Sequence, residues 1–204
     1  MTSPPAVYIT ADHPDIIKTS RHICGQETEP AAMAQQLFVW VRDHITYDTW
    51  AQFLQPEPNY AHAVLARRNG NCLQKALLLC ALARSRNIET RLVCADIRNH
   101  DMGEDLRMVL GDTVILWHGL VEFFLHGRWI KATPTFDREI CHRWDMPLVR
   151  FDGEGDALLP KETLSGKPLF EYVTWHGHYD DLPLAEIQKR YAEIYNGHAS
   201  RNLE

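Results

Sequence analysis

Two short stretches carry side chains that can make and break bonds. The first is Arg68-Asn69-Gly70-Asn71-Cys72-Leu73-Gln74-Lys75-Ala76. Asn and Gly tolerate the backbone angles of a tight turn. The run Leu77-Leu78-Leu79-Cys80-Ala81-Leu82-Ala83 behind them has the composition of a buried helix, reaching Arg86. Asn71 fits an N-cap, so Cys72 falls in the first helical turn, where free N–H groups and the helix dipole favour an anion. A thiol there is expected to have a lowered pKa, alone among the five cysteines, and the thiolate is its reactive form. The plainer reading is a small buried hydrophobe, the expected fate of Cys24, Cys80 and Cys94.

The second stretch is His118-Gly119-Leu120-Val121-Glu122. Along a strand, residues of one parity share a face, so His118, Leu120 and Glu122 lie together. If the chain turns at His126-Gly127, Leu125 faces Arg128 and His118 falls opposite Thr135; Thr133 and Asp137 share that parity. A histidine beside a hydroxyl or a carboxylate is what a general base needs, because the third group fixes its tautomer and orientation. A structural histidine in a hairpin is the plainer alternative. A third cluster, His176-Gly177-His178 with Asp180 and Asp181, contains ligand types that suit zinc. A glycine turn and a helix cap account for the same residues.

These side chains need elements to hold them. Residues 1 to 27, with Pro4, Pro5 and Pro14, read as irregular. Thr28-Glu29-Pro30 announces a helix, with Ala34, Leu37, Phe38, Val41 and Ile45 on its buried face. Residues 49 to 66 read as a loop leading to the Cys72 turn. Three strands follow the central helix: Ile88 to Ile97, Thr113 to Leu125 and Arg128 to Thr133. His126-Gly127 makes the hairpin between the last two, and Pro134 ends the pairing because it has no N–H to donate. The loop Asn99 to Gly111 joins the strands flanking the candidate residues and is expected to border the cleft and move. Phe136 to Tyr172 shows little periodicity. Pro183 opens a last helix with Leu184, Ile187, Tyr191 and Ile194 inside, capped by Asp180 or Asp181.

Composition narrows the class. At 204 residues and 45% hydrophobic, the chain can bury one good core. A net charge of −6 and the lack of a basic run argue against a nucleic-acid partner. Met1 to Ala11 lacks the charged and apolar regions of a secretory signal, and no apolar stretch reaches the roughly 18 residues of a membrane-spanning helix. Five cysteines without paired spacing argue against a disulfide framework, which makes a cytoplasmic location the expectation.

Taken in order, Gly70-Asn71-Cys72 before a Leu/Ala helix, Arg91-Leu92-Val93, His118 to Glu122, and Trp129-Ile-Lys-Ala-Thr-Pro-Thr135 resemble the transglutaminase-like superfamily of papain-type cysteine enzymes. The likeness spans about residues 31 to 137. It implies an α+β fold in which a Cys-bearing buried helix packs on an antiparallel sheet. The chain is then a single domain with a C-terminal extension from about residue 138 to 204. It also implies Cys72 as nucleophile and His118 as base. The reaction would be acyl transfer through a thioester, from a peptide, a protein or a small amide, with no cofactor. Many relatives carry Asp four residues after the Trp, just before Pro-Thr; here Thr133 stands there. Asp137 is the nearest downstream acid and is expected in its place. A chain that keeps this fold as an inactive binding module is the alternative. The segments around Phe151-Asp-Gly, Asp156-Ala-Leu-Leu and Glu171-Tyr-Val resemble a bacterial branch of the superfamily.

Overall fold

The computed structural model describes residues 6–110 and 112–201. Helices α1 (Pro14–Cys24), α2 (Pro30–His44) and α3 (Ala61–Arg67) surround the apolar helix α4 (Cys72–Arg84). A four-stranded antiparallel sheet covers α4 from the other side, in the order β5 (Arg128–Ala132), β4 (Val114–Leu125), β3 (Thr90–Asn99) and β6 (Phe170–Tyr179). Two residues on each side, β1 (Thr46–Tyr47) and β2 (Asn69–Gly70), pair in parallel and tie the end of α2 to the turn before Cys72. Helices α5 (Glu104–Leu110), α6 (Arg138–Arg143) and α7 (Leu184–Arg201) complete the order. No helix among the described residues is long and apolar enough to cross a membrane.

Helix α4 is buried along all but its last residue, so it needs no polar face and shows none. The one charge inside it, Lys75, donates to the carbonyls of Arg42 at 3.0 Å and Ile45 at 2.7 Å, the free C-terminal oxygens of α2. The hairpin forms where the sequence puts it: His126 (φ 52°) and Gly127 (φ 76°) are both left-handed, as a two-residue loop requires, and Leu125 pairs with Arg128.

Several elements depart from the sequence reading. Residues 14–24 form a helix, because Pro14 sits in its first turn, the His13 side chain accepts the Asp15 N–H, and Ile16, Ser20 and Cys24 are buried at steps of four. Such a narrow stripe escapes a periodicity search. Within 49–66, Glu57–Asn59 forms a 3-10 turn and α3 follows. Glu29, not Thr28, caps α2, accepting from Ala32 N at 2.6 Å. The segment after 137 supplies β6, which pairs along β3, so the extension is built into the sheet. Asn99 to Gly111 contains α5, with Gly111 outside the described residues.

In the last helix Leu184 and Ile187 are buried as expected. The Ile194 side chain lies outside the described residues. Asp181 works at the other end of the chain, its carboxylate accepting the N–H groups of Val7, Tyr8 and Ile9 at 2.5 to 3.0 Å.

Candidate active site

The start of α4 is built by adjacent residues. Asn71 accepts the Gln74 N–H at 3.1 Å while Gln74 accepts the Asn71 N–H at 3.1 Å, a reciprocal cap that fixes the first turn. The Gln74 amide nitrogen then donates to the Gln52 carbonyl at 2.8 Å and to Asn59 Oδ1 at 3.2 Å. Cys72 is thereby held at the first helical position, 8% exposed.

Strand β4 meets this helix end closely. A Cβ on Gly119 would lie 2.6 Å from the Leu73 Cα, so only glycine lets the strand approach. The contact sets the residue after His118 against the residue after Cys72. The backbone N–H groups of Gly119, Leu73 and Cys72 itself act to lower the pKa of the Cys72 thiol.

The expected low thiol pKa is not found. Burial pushes the Cys72 thiol up; the three N–H groups and the charge of Lys75 oppose that rise without cancelling it. Burial likewise raises the other cysteines, Cys80 and Cys141 to about 11. Among the described cysteines, Cys72 is the one whose thiol pKa backbone N–H groups act to lower. Lys75, one turn further on, is pushed down to about 7 by burial, against the opposing charges of Asp137 and Asp43.

His118 is 1% exposed, and burial pushes it down to about 3. Its Nε2 has no hydrogen-bond partner among the described residues. Its ring stands edge-on to Tyr172 of β6, centroids 6.1 Å apart at 70°. The Tyr172 hydroxyl accepts the Leu159 N–H at 3.3 Å and lies 3.4 Å from Thr133 Oγ1. Burial raises its pKa, and the nearby Cys72 adds to the rise. Thr135 Oγ1 is buried and, among the described residues, unpartnered.

Cys72, His118, Thr133 and Tyr172 are thus gathered at one end of the sheet. Asp137 has another set of partners: its carboxylate caps α6, accepting the Ile140 N–H at 2.9 Å, and its charge acts on Lys75 and Cys141. The physical reason is local, since the first turn of α6 offers the carboxylate a free N–H three residues away.

The remaining candidates also find places. Glu122, nearly buried, meets Arg91 at 2.7 Å, His178 at 2.8 Å and Lys131 at 3.0 Å. His176 Nε2 lies 2.7 Å from Asp96 Oδ1. Both histidines of the His-Gly-His stretch are therefore spoken for by carboxylates. No group of three or more metal-ligating side chains is present among the described residues.

Tyr172 and the Asp96–His176 pair were invisible in the sequence, because β6 had no alternating pattern to announce it. Its residues are mostly exposed or half-buried. Beside the site, Tyr172, Trp175, Phe170, Leu158 and Leu159 line a surface cavity.

The profile of the transglutaminase-like superfamily matches residues 17–134, more than half of the chain. No curated protein matches. Among solved structures, “a Putative Cysteine Protease from Cytophaga hutchinsonii” superposes with a TM-score of 0.50 at 18% identity, over 65% of this chain and 40% of that one. The chain therefore spans less than half the length of that neighbour. A “putative protease from Parabacteroides distasonis” gives a TM-score of 0.41 at 9% identity, over 57% of this chain and 22% of that one. The superposition at 0.50 agrees with the profile in fold. The chain belongs to the transglutaminase-like superfamily.

Proposed function

We propose that this chain is a cysteine-dependent acyl-transfer enzyme. Cys72 is its nucleophile and His118 its proton carrier. The observation that carries the reading is the Cys72 sulfur among backbone N–H groups at a capped helix start, one of them from the residue after His118. Donors aimed at sulfur stabilise it as negative charge develops, and they cost no reorganisation at that moment.

The buried resting pair is neutral, thiol and imidazole. Attack on a carboxamide carbonyl forms the carbon–sulfur bond as the thiol proton passes to His118. The imidazolium returns that proton to the departing amine, leaving a thioester on Cys72. Water then releases an acid, or a second amine takes the acyl group; either step restores the thiol. The apolar and aromatic cavity at Tyr172 and Trp175 would receive side chains of a peptide, a protein or a small amide.

One observation favours the alternative, an inactive binding module. Thr133 stands where many relatives have an acid, and among the described residues no carboxylate offsets the fall in His118 basicity. Brief iodoacetamide labelling across pH, with peptide mapping, separates the two. An enzyme labels Cys72 first, and that label blocks hydrolysis of a panel of amides and peptides. Even labelling of all five cysteines, with no hydrolysis, leaves the binding module.

A further inference from the structure

Immediately before His118 the backbone is held in an unusual state. Trp117 has φ 55°, a left-handed conformation that a bulky residue adopts only where its surroundings impose it. The pairing of β3 with β4 slips its register there, between Ala95 and Ile97. The pairing of β3 with β6 slips on both sides of Asp96. Three strands are therefore irregular at one level, and one side chain joins them.

That side chain is Asp96. Its Oδ1 accepts the Trp117 N–H at 3.0 Å and lies 2.7 Å from His176 Nε2. The His176 ring stacks on the Trp117 indole, centroids 4.3 Å apart and planes within 13°. The contacts form a closed triangle: the carboxylate holds the left-handed amide, the imidazole holds the carboxylate, and the stack holds the imidazole against the residue whose amide is held. Asp96 is 13% exposed in its side chain and His176 21%, so water weakens neither bond greatly. Around them, Tyr179 of β6 bonds the His176 carbonyl at 3.4 Å and reaches Glu186 of α7 at 3.5 Å. Arg and Lys side chains make no ion pair with Asp96 among the described residues.

We infer that Asp96 and His176 form a positioning pair for His118, fixing the strained Trp117 so that the next residue presents its imidazole beside Cys72. The inference rests on the reading of His118 as proton carrier. The pair touches no reacting atom; it acts through the backbone of one residue. It does for orientation what a triad carboxylate does for other histidine bases, through the backbone rather than the ring. Asp137, tied to α6, and Thr133, without charge, leave that task open.

The test has two readouts on the intact chain. The nitrogen NMR spectrum of the His118 ring reports its orientation and tautomer, and the pH–rate profile of iodoacetamide labelling reports Cys72. Asp96→Ala should broaden or shift the His118 ring signals. It should also slow Cys72 labelling at neutral pH at least about tenfold, since a misplacement of about 1 Å can cost on the order of 10²-fold. Asp96→Asn keeps an acceptor for both donors and should restore most of both. His176→Phe keeps the stack, loses the bond and should lie between.

A merely structural role would lower the melting temperature and leave the ring signals and the shape of the profile unmoved. Unchanged His118 signals and labelling in folded Asp96→Ala overturn the inference. If that variant does not fold, the same result in His176→Phe overturns it. Wild-type Cys72 that labels no faster than Cys80, while the His118 ring still responds to Asp96→Ala, refutes the enzyme reading and leaves the positioning pair standing.

Discussion

Four residues apart on β4, and on one face of the sheet, His118 and Glu122 occupy opposite electrostatic settings. Glu122 is surrounded by cations. Burial raises its pKa, but the bonds from Lys131 and Arg91 outweigh that, and the carboxyl stays below its ordinary value. His118 is equally buried, and among the described residues no charged group offsets the cost. The pairing of β5 accounts for the contrast. It runs from Leu125↔Arg128 to Val121↔Ala132, which lays Lys131 directly against Glu122, and it stops there. Beyond Ala132 the chain leaves the pairing through Thr133 and Pro134, so β5 lays no residue against β4 at the level of His118. Glu122 is stabilised in its charged form because β5 brings Lys131 and β3 brings Arg91 against it.

The sharpest way to break that comparison is to exchange the histidines' fates. His118→Ala should lower the neutral-pH labelling rate of Cys72, and any amide hydrolysis, by about 10²- to 10⁴-fold, the usual worth of a positioned acid–base group. His178→Ala, which removes a partner of Glu122, should leave both within twofold to threefold. Equal losses in the two variants would erase the distinction between the two ends of β4.

Next in size is Glu122→Ala. It leaves Arg91, Lys131 and His178 without their shared acceptor; each is partly exposed and can turn to water. A loss of about 1–3 kcal/mol in urea unfolding is expected, below the cost of stranding a fully buried charge. Cys72 labelling should be unaffected.

The two settings also predict how stability follows pH. Folding lowers the His118 pKa from 6.5 to about 3, so the unfolded chain binds the extra proton, and stability is lost as pH falls through that interval. Lys75 has the same sign higher up, losing stability as pH falls from 10.5 towards about 7. Glu122, held below its ordinary 4.5, adds its loss only under strongly acid conditions. His118→Asn should therefore flatten the unfolding free energy between pH 6.5 and 4.5 without altering the slope above 7. An unchanged slope below 6.5 in that variant would show that burial of His118 is not what governs it.

The smallest effect belongs to Asp137. As the cap of α6 its loss should cost about 1 kcal/mol. Asp137→Ala should then change Cys72 labelling less than Asp96→Ala does. A greater slowing by Asp137→Ala than by Asp96→Ala would make Asp137 the partner of His118.

The sequence by itself determined what neighbours in the chain can build. Asn71 and Gln74, three residues apart, cap α4 and put Cys72 at its first position. His126-Gly127 turns the hairpin and so sets the register that places His118 and Glu122 on one face. The motif order around them was enough to suggest the family. Only the tertiary structure decided the charges. Whether Cys72 ionises depends on how completely helices and strands bury it, and that burial outweighs the helix start the sequence displays. Asp137 looked available because parity counts positions along a strand; the structure shows its carboxylate also serving as the cap of α6. The Asp96–His176 bond joins residues 80 apart, through a strand that carries no alternating pattern of its own. Caps and turns are short-range bonds written in adjacent residues. Burial and cross-strand partners are sums over distant ones, and no local pattern contains them.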